Sequence, residues 1–169
     1  MAFKDTGLGF GWITILFHWL GAILMPVFVV RSVQDLWQVS DPSLMTPLAM
    51  AVCLLFAFRL YWRLSHHHPL PLGNAKPVTV LVARGVALGM LLAGFVLPLM
   101  YLWLCSAMSA QGHLLWLGAG GSTVIFWLYH LGIAAFSAGL GLHLYGAYQH
   151  HFVLKDESLP RLLGRKVDL

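Results

Sequence analysis

Long apolar runs broken by short polar segments set the pattern of this chain. A helix needs about 20 apolar residues to cross about 30 Å of hydrocarbon. Four stretches meet that length: Trp12 to Val30, Leu44 to Trp62, Ala83 to Cys105 and Thr123 to Tyr148. In lipid every backbone N–H must be bonded within its own segment, so each stretch reads as a helix. Leu114 to Gly120 (LLWLGAG) is too short to span and reads as an interfacial turn in an outer loop. The expected fold is an all-α membrane protein, a four-transmembrane-helix antiparallel bundle forming one domain over residues 1–169. Pro69, Pro71 and Pro77, with Gly73, predict a non-helical loop between the second and third spans. Pro26, Pro47 and Pro98 fall within or at the edge of spans, where membranes tolerate them as kinks.

Composition agrees with this pattern. Of 169 residues, 59% are hydrophobic and only 9% charged, against about 25% charged in a soluble domain. The formal charge of +4 comes from clustered Lys and Arg, which points to membrane orientation and not to nucleic acid. Lys4 precedes the first span, and Arg59, Arg63, Lys76 and Arg84 flank the second loop. Lys155, Arg161, Arg165 and Lys166 follow the fourth span, and only Arg31 lies on the opposite side. Both termini are therefore expected in the cytoplasm. The segment MAFKDTGLGF lacks the features of a cleaved signal peptide, so the first span is expected to remain as an anchor. Cys53 and Cys105 lie in different spans, outside any metal motif, and read as packing thiols.

Chemistry enters with the histidines. A polar imidazole in hydrocarbon is unfavourable unless something binds it. His18 lies about one and a half turns into the first helix, and His143 about one and a half turns before the end of the fourth. In an antiparallel bundle they share a level, on the cytoplasmic side. A haem iron is the commonest shared partner for two opposed intramembrane imidazoles. Gly21, three residues beyond His18, and Gly139 and Gly146, flanking His143, leave flat space on the same faces. The competing reading is two buried histidines with glycines that serve helix packing.

The other histidines carry less. His130 is thirteen residues before His143, which turns it about 140° away from the His143 face. It reads as an interfacial residue beside Trp127 and Tyr129. His150 and His151 fall at the cytoplasmic interface, either as a polar cap or as contacts for a quinone headgroup or haem propionates. His66, His67 and His68 form a loop run, and His113 a loop residue. Arg59 and Arg63 end the second span as snorkelling anchors; the functional reading pairs the deeper Arg59 with a propionate.

The chain resembles the bacterial cytochrome b561 family of small four-helix inner-membrane haem proteins. The resemblance lies in Phe17-His18-Trp19, in Arg59 and Arg63 of FRLYWRL, and in Leu97-Pro98. It is strongest in Gly141-Leu142-His143, His150-His151, Lys155-Asp156 and LPRLLGRK. It implies a bacterial inner-membrane location and two b haems, each held by two histidines. The inner pair matches His18 and His143 as axial iron ligands. The outer pair does not match: the second-helix position falls at or beside Met45, and the fourth-helix position on Tyr129, with His130 one residue off.

One haem is therefore expected. The alternative is a second haem held by His130 and Met45, since His/Met ligation is workable. The expected function is a membrane electron carrier exchanging electrons with a quinone, such as ubiquinone, or with a redox protein; a homodimer stays open. Two other functions compete. One is a superoxide:quinone oxidoreductase, for which the outer surface offers little beyond Arg31. The other is a haem-less partner subunit, against which the His18 and His143 pair argues.

Overall fold

The computed structural model describes Asp5, residues 10–37, 42–66, 77–109 and 118–153, Pro160 and Leu163. Four helices account for most of them: α1 (Trp12–Trp37), α2 (Pro42–Ser65), α3 (Pro77–Ser109) and α4 (Gly118–Tyr148). A π-type turn, Gln149–Val153, continues α4. All four helices are long and apolar enough to cross a membrane, and no strand occurs among the described residues.

The helices run past the apolar stretches that announce them. Hydrocarbon thickness limits the apolar segment, whereas the hydrogen-bonded helix continues into the wetter interface. Thus α1 reaches Trp37 and α3 spans 33 residues. Pro77, expected to keep the loop open, is instead the first residue of α3, and Pro42 the first of α2. Proline suits that position because its missing N–H would have had no partner there. Arg84 accordingly lies inside α3, on an exposed face. Gly118 to Gly120, assigned above to an outer turn, belong to α4, while Leu114 to Leu117 and Pro69 to Gly73 lie outside the described residues. Pro26, Pro47 and Pro98 sit within their helices.

Packing follows chain order: α1 against α2, α2 against α3 and α3 against α4, with only sparse contact between α1 and α4. Each helix buries one stripe at steps of three and four. On α1 it is Gly21, Met25, Phe28 and Ser32; on α2 Met45, Ala49, Val52 and Phe56; on α4 Ile125, Tyr129, Ile133 and Phe136. Such steps keep side chains on a single helix face. Large apolar side chains on the other faces, such as Ile23, Leu54, Leu81 and Leu131, are exposed, as lipid-facing residues must be.

Two glycines allow close approach. A Cβ on Gly94 of α3 would collide with the Phe56 ring of α2, and one on Gly132 of α4 would meet the Leu97 side chain of α3. Small residues at such contacts are what let helices pack in lipid, where no hydrophobic force separates helix from solvent. The N-terminal end of α1 is tied by Asp5. Its carboxylate accepts from Gly11 N–H at 2.6 Å and from the Thr14 hydroxyl at 3.0 Å. A negative charge there also complements the helix dipole. Thr14 Oγ1 in turn accepts from Trp62 Nε1 at 3.1 Å, which joins α1 to the end of α2.

Candidate functional site: two imidazoles and a guanidinium

The buried stripes continue toward the start of α1, and each ends in a chemically active residue. Counting back from Gly21 by three gives His18. Counting on from Phe56 by three gives Arg59, and from Phe136 by seven gives His143. Three helices thereby deliver three polar side chains to one end of the bundle. The His18 and His143 rings lie 6.3 Å apart, centre to centre, with their planes at 53°. Arg59 Nη2 lies 3.2 Å from His18 Nδ1. A guanidinium has no lone pair, so it donates and Nδ1 accepts. Trp19 meets the edge of the His18 ring at 5.7 Å.

The separation of the two rings has a chemical meaning. An imidazole nitrogen binds a first-row metal at about 2.0 Å and lies about 1.1 Å from its ring centre, so two imidazoles facing one metal from opposite sides stand about 6.2 Å apart. The observed distance fits such a pair. The donor set narrows the partner further. Among the described residues no three His, Cys, Asp or Glu side chains converge. A bare zinc ion takes three or four protein ligands, whereas two imidazoles suffice for an iron whose other positions a porphyrin fills.

Local packing fits the same group. α1 and α4, which carry the two imidazoles, touch each other only sparsely. Around His143, a Cβ at Gly141 or Gly146 would meet no heavy atom within 4 Å, and at Gly139 only Met90, at 3.6 Å. Gly21 differs: Arg59 Nη1 lies 3.0 Å and the Phe56 ring 3.3 Å from where its Cβ would be. The space beside His18 is thus shared with a cation. Among the described residues no carboxylate pairs with Arg59; the Phe56 ring also lies near it, 5.8 Å from Cζ to the ring centre.

The remaining candidates sit elsewhere. His130 donates from Nδ1 to the Phe126 carbonyl of its own helix at 2.8 Å and packs on the Phe126 ring at 4.2 Å. Tyr129, one residue earlier, holds the inward position, and Met45 lies in the apolar core. His150 is half-buried and His151 exposed, both in the π-type turn that follows α4. That turn changes the helical register, so the seven-residue spacing from His143 no longer fixes a common face. His66 stacks on Trp62 at 3.8 Å at the end of α2. His67, His68 and His113 lie outside the described residues.

Sequence reasoning missed a second tie between α1 and α4. Tyr129 Oη donates to Ser32 Oγ at 2.7 Å, and Ser32 donates to the Phe28 carbonyl at 2.7 Å. Its signal was present in the spacing. Ser32 lies fourteen residues after His18, and Tyr129 fourteen before His143, which is almost four whole turns.

Comparison with known proteins agrees with this geometry. The sequence profile of the prokaryotic cytochrome b561 family matches residues 9–165. This chain belongs to that family. A b561 relative, "Cytochrome b561 homolog 2" of Escherichia coli (strain K12), is 26% identical over a 192-residue alignment covering 98% of this chain and 96% of that protein. Membership makes the chain a multi-pass membrane cytochrome of the electron-transfer class. Within a b561 frame the two imidazoles and the guanidinium form the part of the bundle where polar chemistry concentrates.

Proposed function

We propose that this protein is a membrane electron carrier that binds haem b between His18 and His143. The observation that carries the reading is the pair of intramembrane imidazoles 6.3 Å apart, on two helices that otherwise touch little. Haem held there would supply one-electron iron chemistry.

The chain's own residues then have distinct tasks. His18 and His143 would each supply a ring nitrogen to the iron; for His18 this is Nε2, which requires its proton to sit on Nδ1 and Arg59 to turn away from that nitrogen. Arg59 brings a fixed positive charge within hydrogen-bond reach of His18 and is the group to pair with a haem propionate. Gly139 and Gly146 keep the His143 face of α4 free of their own side chains. The apolar stripes keep water from the ligands. The Lys and Arg distribution supports this end of the bundle facing the cytoplasm. His150 and His151 then stand at that interface as contacts for a quinone headgroup, such as that of ubiquinone, or for a soluble redox protein.

The reduced-minus-oxidised spectrum of purified protein tests the proposal. It should show a low-spin b-type haem, absent from both His18→Ala and His143→Ala. An unchanged spectrum in either variant excludes the assignment.

A further inference from the structure

Family resemblance places a second haem at the opposite end of the bundle, and the residues there do not fit one. We infer that the Tyr129 end is a closed, packed plug without a second haem, so that electron exchange is confined to the end carrying His18 and His143. The inference rests on the haem reading proposed above and deepens it.

Three observations support it. First, the two positions that the resemblance assigns to the second haem's ligands, Met45 and Tyr129, do face the interior: they are 1% and 3% exposed and belong to a single apolar cluster. The site exists in outline, but its ligand positions hold a thioether and a phenol. Second, the phenol is already engaged. Tyr129 donates to Ser32, which donates to the Phe28 carbonyl. Opening this chain in a low-dielectric interior would leave polar groups unpaired. Third, the space is filled. Phe28 is 0% exposed, and Tyr101 stands against both Phe28 and Tyr129, with ring centres 6.1 and 6.3 Å away. Interiors packed in this way do not admit a porphyrin without expelling several side chains.

His130 does not rescue the site. Its Nδ1 is bonded to its own helix, and its ring packs on Phe126. The tie between Tyr129 and Ser32 lies about 21 Å along the helices from the imidazole pair, fourteen residues at about 1.5 Å each. Across that distance the bundle offers packed side chains where a two-haem relative would have a relay.

Haem per chain, measured by pyridine haemochrome on purified full-length protein, decides the matter. Wild type should carry one haem, His143→Ala none, and the double variant Met45→Leu/His130→Ala one haem with an unshifted spectrum. Two haems in wild type, or haem lost from the Met45/His130 variant, would overturn the inference and leave the parent reading standing; the full wild-type haem retained in His143→Ala would overturn the parent reading. A colourless wild-type protein from haem-sufficient cells overturns the parent reading, and this inference with it. Should His143→Ala not fold, the wild-type stoichiometry and the Met45/His130 variant still decide.

Discussion

Arg59 is the residue whose placement says most about how this site is tuned. A cation beside the His18 imidazole, 3.2 Å from Nδ1, would favour the ferrous state of an iron that this imidazole held. Removing the charge should lower the midpoint potential. At an effective dielectric near 20, one charge several ångströms from the iron corresponds to a shift on the order of 100 mV. Arg59→Gln should therefore shift a potentiometric titration downward, and Arg59→Lys should restore most of the difference. An unchanged potential in Arg59→Gln would remove Arg59 from the site's electrostatics. The sequence offered Arg59 as a snorkelling anchor or a propionate partner. Its contact with His18 was not legible, because nothing in the spacing of one helix states which residue of a neighbouring helix lies opposite.

At the level of elements, α2 and α3 pack through Gly94 and Phe56, and α3 and α4 through Gly132 and Leu97. The two contacts differ in kind. An added methyl at Gly94 runs into a buried aromatic ring flanked by the core, whereas one at Gly132 meets the end of a flexible leucine. Gly94→Ala should cost about 1–3 kcal/mol through overpacking, and Gly132→Ala less. Thermal unfolding in detergent would rank them; equal or reversed effects would mean the α2–α3 contact relaxes freely. Spans and helix number were legible because hydrocarbon thickness dictates apolar length. Helix ends were not, since the interface tolerates polar residues in a continuing helix: Pro77 looked like a breaker and is a helix start. The inward face of α4 was legible from spacing alone, which turned His130 away and left position 129 facing in.

Across the whole molecule, α1 and α4 meet at two levels, and those levels hold different chemistry. One is a pair of imidazoles and the other a phenol on a serine. Both are spaced by the same fourteen residues on each helix. Two points of attachment remove a freedom that a single point leaves. With only the imidazole pair in place, α4 could pivot about it relative to α1, and the angle between the two rings would wander. The distant hydroxyl pair would hold that angle. Tyr129→Phe removes the bond at a cost of about 1 kcal/mol and touches nothing at the imidazoles. Its signature should appear there nonetheless, as broadened low-spin resonances in the electron paramagnetic spectrum of the oxidised protein. Unbroadened lines would mean that α1 and α4 are aligned through α2 and α3 alone. On this geometry a side chain with no part in binding iron would set how sharply the ligand field of an iron between the imidazoles is defined.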